Sequence, residues 1–264
     1  MATQLLSSMH AKYKEAQRAQ TDTAALRRQT LLMIARELTG RPYVAHTLEV
    51  NDNEKLVVNL RQLDCTTYVE TVMALYLCIK DGKTTFDDYT STLRTIRYRQ
   101  DHVSYADRLH YFTSWIDDNT DMGLVAEISS QSPPFTATQT LHINFMTTHT
   151  ASYRMLHGNR QLINAIAATE RGLTGRKCRY IPKGSILNST LLRNTIHDGD
   201  IIVIVTNKRG LDTSHIGFAV WHNDGLHLLN ASQIHKRVVE EPMTLHDYMQ
   251  RHPSQIGIRV VRIM

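Results

Sequence analysis

Cys65 stands in the stretch RQLDCTTYVETVMALYL, after an aspartate and before two threonines, where a long apolar run begins. Free cysteine is among the most buried residue types, so core packing is one reading. The other is a nucleophile whose thiolate is favoured by the field at a helix N-terminus. That field is worth about 0.3–1 kcal/mol, which lowers a pKa by less than one. An ordinary thiol is only a few per cent ionised at neutral pH, so an ionised Cys65 requires a second positive group, most simply an imidazolium from a distant segment. An active thiolate of this kind predicts alkylation of Cys65 at pH 6 in preference to Cys78 and Cys178.

Among the 14 histidines, His215 in DTSHIGFAVW has the most suggestive setting. Strand residues alternate between faces, which puts His215, Gly217, Ala219 and Trp221 on one side. Two small residues beside the imidazole would let another element, such as the Cys65 helix, approach closely. If His222 to Gly225 form a four-residue loop, Trp221 pairs with Leu226 and Gly217 pairs with Asn230. Asn230 is then a diagonal neighbour on the face of His215, and its amide could orient the ring. A three-residue loop would reverse this parity. Asp64 has two readings, a helix cap worth about 1 kcal/mol or a receptor for the amine or amide of a ligand.

These residues need elements to hold them. AALRRQTLLMIARELTG carries a helical period that stops at Gly40 within a helical segment over 1–40. PYVAHTLEV and EKLVVNLRQL are extended or irregular and lead into Cys65. Val69, Val72, Met73, Tyr76 and Ile79 then recur at three- and four-residue steps, which predicts an amphipathic helix over 65–80. FDDYTSTLRTIRYR and DRLHYFTSWIDDN form a second helical region. From residue 200 to 264, GDIIVIVTN, SHIGFAVWH and GLHLLNAS are short β-branched or aromatic segments divided by turns, which predicts an antiparallel sheet. Helices first and strands later give an α+β class. No repeat or linker divides the chain, so a single domain over 1–264 is expected.

The bulk properties narrow the function. A chain of 264 residues with 42% hydrophobic and 21% charged residues is of ordinary globular type, without the apolar run of roughly 18 residues that a membrane span needs. Three cysteines argue against a disulfide framework. A net charge of +5 suits an anionic partner, but the scattered basic residues form no nucleic-acid stripe. The opening stretch has no sustained apolar core of a secretory signal. H-E-x-x-H, paired C-x-x-C, P-loop and G-x-S-x-G motifs are absent, and no histidine/carboxylate set has the helical spacing of a zinc amidase.

LDCTTYVETV resembles the DC-[ST]-x-[FY]-V signature of NlpC-type cell-wall hydrolases, and SHIGFAVWHNDGLHLLNAS resembles their H-[IV]-G strand followed by H-A-S. GRPYVAHTLE, IRYR, RLHYFTSWI, GLDTSHIGF and YMQRHPSQIGIRVVRI extend the likeness to the N-acetylmuramoyl-L-alanine amidase-like branch, from about Leu31 onward. The resemblance implies a papain-like fold, with N-terminal helices, including the catalytic one, packed on a C-terminal antiparallel sheet. It implies Cys65 as nucleophile and His215 as base, with Asn230 standing where many relatives have the histidine of H-A-S. Tyr43 becomes a candidate second oxyanion donor, beside the Cys65 N–H. It also favours a substrate pocket over a solvated helix face for RYRQDHVSYADRLHYFTSW, with Asp64, Tyr98, Arg99, Arg108, His110 and Tyr111 as candidate contacts. The implied activity is cleavage of the amide between N-acetylmuramic acid and L-alanine in peptidoglycan fragments, with anhydro-muropeptides as the substrate class and no metal or cofactor. The alternatives are an endopeptidase between D-glutamate and the diamino acid, and a non-catalytic muropeptide- or glycan-binding protein. Relatives act in the cell envelope, with the cytoplasm as the alternative compartment.

Overall fold

The computed structural model describes residues 2–264. Five helices come first: α1 (Ala2–Ala19), α2 (Thr23–Glu37), α3 (Cys65–Lys80), α4 (Phe86–Arg97) and α5 (Phe112–Asp121). Strands and helices then alternate through β1 (Val125–Ile128), β2 (Ala137–Thr140), α6 (Phe145–Thr148), α7 (Arg160–Leu173), β3 (Lys177–Pro182) and α8 (Thr190–Thr195). The chain closes with β4 (Ile201–Thr206), β5 (Thr213–Trp221), β6 (Leu226–Ser232), β7 (Arg237–Glu240), α9 (Leu245–Gln250) and β8 (Gln255–Ile263). All paired strands run antiparallel in the order β2-β3-β8-β4-β5-β6-β7, and β1 joins the free stretch of β8. The class is α+β.

The predicted helix over 65–80 is α3, and its start is fixed by side chains. Asp64 Oδ1 accepts from Thr67 N–H at 2.8 Å, and Thr67 Oγ1 accepts from Asp64 N–H at 2.9 Å, a reciprocal cap on two otherwise unpaired donors. Every residue from Thr67 to Ile79 is buried, so α3 is a central helix rather than an amphipathic one. It lies in a core with α1, α2 and α4 on one face of the sheet, against Ile216, Phe218 and Val220 of β5. Tyr68 meets Phe218 edge-on, ring centroids 5.7 Å apart, and its hydroxyl donates to Ala35 O.

The opposite face carries a second core, in which α9 supplies Leu245, Tyr248 and Met249 against Ala219, Leu226 and Leu228. Both faces of β4 are therefore covered, which is why IIVIVT is apolar without alternation. This corrects one expectation. The face bearing Gly217 and Ala219 receives α9, while the Cys65 helix packs on the other side through larger residues. The small size of Gly217 serves Asn230 instead: a Cβ there would lie 2.8 Å from Asn230 Cβ and from Leu229 O. A second correction concerns the extent of the sheet, which recruits β1, β2 and β3 from a middle region with no clear strand period.

Candidate active site

The β5–β6 hairpin has the register that the four-residue loop requires. Trp221 pairs with Leu226 and Phe218 with Leu229, and His222 N–H donates to Gly225 O at 2.9 Å. His215 and Asn230 consequently share a face, and the imidazole Nε2 donates to Asn230 Oδ1 at 2.9 Å. Asn230 is buried and its Nδ2 donates to Leu228 O at 3.2 Å, so the amide oxygen is the end that faces the ring. Nε2 therefore carries the ring proton, and Nδ1 is left with its lone pair.

Cys65 and His215 line the same cavity of about 180 Å³, together with Thr66, His110, Tyr111 and Asp212. The Ile216 backbone, one residue beyond the imidazole, is close enough to Cys65 to favour its thiolate. A second lobe of about 410 Å³ opens on the other side of Cys65 and is bordered by Tyr43, Glu49, Glu70, Arg97, Arg108 and Gln233. Cys65, Thr66 and His110 border both lobes, so half-buried Cys65 sits between two adjacent cavities.

The electrostatics differ from the expectation of an ionised thiol. Burial, and then the neighbouring Asp64 carboxylate, push the Cys65 thiol up to about 12, against hydrogen bonds from Ile216 and Thr66. The helix field is worth under 1 kcal/mol and cannot reverse this. Burial likewise lowers the pKa of His215, opposed by its bond to Asn230 and by Asp64. Burial thus opposes the charged form of each partner, against the helix field that favours a thiolate.

Tyr43 borders the larger lobe, held by its N–H donating to Lys236 O at 2.9 Å and by a bridge to Leu63. Burial, followed by Cys65 and Asp64, pushes its phenol up to about 12, so it remains a hydrogen-bond donor at neutral pH. Asp64 both caps α3 and borders the larger lobe. Arg108 also borders that lobe, but its guanidinium is paired with Glu49, and with Glu54 at 3.5 Å. His110 donates from Nε2 to Tyr105 O at 2.7 Å, and burial followed by Arg108 drives its pKa down to about 3. Tyr111 borders the smaller lobe, with its hydroxyl donating to Glu170 and accepting from Met146 N–H.

Two candidate contacts lie elsewhere. Tyr98 is buried with its hydroxyl on Glu54 at 2.5 Å and borders neither lobe. Arg99 is exposed and faces a separate cavity beside Asp117, Asp118 and Asp121, just before the chain reverses through left-handed residues at Gln100 and Asp101. Helix α5 begins only at Phe112, so Arg108, His110 and Tyr111 sit on the loop before it and not on a helix face. Sequence reading missed Glu70, whose Oε2 accepts from Arg97 Nε at 2.7 Å in the floor of the larger lobe. A lone carboxylate inside the apolar run YVETVMAL was its signal, since a buried charge demands a partner. It also missed His46 and Gln233, exposed residues on loops, for which no local signal exists. Among the described residues, no group of three or more His, Cys, Asp or Glu side chains could hold a metal ion, and no helix is long and apolar enough to cross a membrane.

Comparison with known families finds a match over residues 33–258 to the AmiA-like family, described as N-acetylmuramoyl-L-alanine amidase-like. Among solved structures, an N-acetylmuramoyl-L-alanine amidase from Bacteroides uniformis is 34% identical with a TM-score of 0.83, the alignment covering 90% of this chain and 99% of that one. A Bacteroides fragilis protein under a provisional xylanase name is 36% identical with a TM-score of 0.81, over 88% of this chain and 100% of that one. Protein LPG0564 of Legionella pneumophila, 21% identical with a TM-score of 0.68 over 99% and 95% of the two chains, shares the fold. No curated protein matches.

Proposed function

Since the chain belongs to the N-acetylmuramoyl-L-alanine amidase-like family, we propose that it is a cysteine amidase with a papain-like arrangement, cleaving the bond between N-acetylmuramic acid and L-alanine in peptidoglycan fragments. The observation that carries this reading is the shared cavity of Cys65 and His215, with Asn230 holding the far nitrogen of the ring.

Because burial opposes charge on either group alone, the proton moves as the sulfur attacks. His215 Nδ1 takes the thiol proton as the sulfur attacks the muramoyl amide carbonyl, so charge develops only as the bond forms. The carbonyl oxygen becomes an oxyanion, met by the Cys65 N–H at the positive end of α3 and by the Tyr43 hydroxyl. The imidazolium then gives its proton to the alanine nitrogen, the C–N bond breaks, and a thioester remains on Cys65. Water delivers a proton to His215 and a hydroxide equivalent to the thioester, releasing the sugar acid and restoring the thiol. Throughout, Asn230 stabilises the imidazolium by accepting from Nε2–H.

Of the three carboxylates bordering the larger lobe, Glu49 and Glu70 face arginines and Asp64 caps α3, which leaves no free carboxylate pair there of the kind glycoside hydrolysis uses. The test is incubation of an anhydro-muropeptide with the protein and with Cys65→Ser, with products identified by mass. Free sugar plus intact peptide from the unsubstituted protein alone supports the amidase. Release of an L-Ala-D-Glu unit would assign an endopeptidase instead, and binding without products from either protein would assign a non-catalytic binder.

A further inference from the structure

The cleft continues past the Cys65 cavity in a direction that the amidase chemistry leaves unused. Leu211, just before β5, separates the smaller lobe from a further cavity of about 420 Å³, and borders both. The lining of this cavity contains Lys208, Arg209 and His142 and no carboxylate. Both cations are exposed, yet the loop that carries them is held: Asn144 and Phe145 N–H both donate to Gly210 O, at 3.3 and 3.2 Å. Gly210 is packed so tightly, at φ +82, that a Cβ would lie 2.6 Å from Asn144 Oδ1. In the same wall, Gln139 Nε2 donates to Thr206 O, which leaves a buried Oε1 without a partner. The nearest carboxylate towards Cys65, Asp212, is buried and accepts from Thr113 N–H at 2.7 Å, with the Arg259 guanidinium on the same threonine's hydroxyl.

A ligand matching this wall offers anionic groups to Lys208 and Arg209 and an N–H to Gln139, which is the chemistry of an acidic peptide. The reach allows this. Leu211 at the cavity edge lies four residues before His215, at most about 14 Å along the chain, and Arg209 and Lys208 lie six and seven residues before it, at most about 21 and 25 Å, limits that include the roughly 7–11 Å between a scissile amide and carboxylates two or three residues away. Resting on the amidase reading, we infer that this cavity is the subsite for the carboxylates of the substrate's peptide portion, and that it selects acidic over amidated peptides.

The test compares kcat/KM for a muramoyl peptide with free carboxylates on its second and third residues and for the same compound with both amidated, at low salt. An exposed charge pair contributes about 1.4- to fivefold, so two give a preference of about 2- to 30-fold for the acidic compound. Lys208→Ala with Arg209→Ala should remove that preference, and Lys208→Glu with Arg209→Glu should invert it. Because each preference is a ratio within one protein, a general loss of activity does not imitate the effect. Equal use of both compounds by the unsubstituted protein, or a preference that survives the double substitutions, overturns the subsite and leaves the amidase standing. Cleavage of neither compound overturns the amidase reading itself.

Discussion

Replacing Asp64 by asparagine isolates the charge that most directly opposes ionisation of Cys65. The cap survives, because the side-chain oxygen that accepts from Thr67 N–H at 2.8 Å is retained. Asparagine and aspartate are equally good N-caps, so only the interaction of the charge with the helix dipole is lost, about 0.3–1 kcal/mol. At an effective dielectric near 20, two neighbouring unit charges interact by a few kcal/mol, about 4 at 4 Å and less beyond. Water at the half-buried site reduces this, so the Cys65 thiol should fall from about 12 by about one to two pH units. At pH 8 the thiolate fraction then rises from about one in ten thousand by about 10- to 100-fold. Iodoacetamide reacts with the thiolate alone, so its rate at Cys65, read by peptide mass against pH, should rise by the same factor. The acid limb of activity should also move to lower pH, because Asp64 supports the protonated form of His215. An unchanged or slower alkylation rate in a folded Asp64→Asn protein would refute the reasoning.

Further outcomes follow from the same geometry. kcat/KM should rise with pH through one midpoint below the ordinary histidine value, since His215 must be neutral to accept a proton and burial lowers its pKa. It should then stay flat to at least about pH 9, because the thiol remains protonated; a bell falling near pH 8 would indicate a resting ion pair. Asn230→Ala should lower kcat by about 10- to 100-fold with KM little changed, a part of the 10²–10⁴ that a positioned base supplies, and Asn230→His should recover some of it. Glu70→Ala should cost about 3–5 kcal/mol by stranding the buried Arg97, lowering Tm by about 10 °C in calorimetry, whereas Glu70→Leu with Arg97→Met should cost far less.

The parts of the site that were legible in the sequence depend on local parity and capping. The helix cap was one of two readings open for Asp64, and the His215–Asn230 pairing followed from strand alternation on the condition of a four-residue loop, which the hairpin has. What lies across the sheet was not legible. Gly217 and Ala219 suggested room for the Cys65 helix, but which helix covers which face depends on long-range packing, and α9 took that side. The environment of Cys65 was only partly legible for a related reason: the helix field is local and readable, whereas desolvation depends on everything packed around the sulfur. Arg99 and Tyr98 were grouped with Arg108 by composition; the left-handed reversal at Gln100 and Asp101 does set Tyr98 opposite Arg108, with both on Glu54, but it leaves the Arg99 side chain facing a different cavity. The strands over 125–182 escaped notice because they are short and weakly periodic, and they gain their order from the edges of the sheet they join.

The central claim is that Cys65 becomes covalently acylated during turnover, and intact-protein mass spectrometry of an acid-quenched reaction with a muramoyl peptide tests it most directly. The predicted result is a transient increase equal to the muramoyl acyl group, mapped to the peptide containing Cys65 and absent with Cys65→Ala, which should also show no turnover. Undiminished turnover by Cys65→Ala, or an acyl group on a different side chain, would contradict the account.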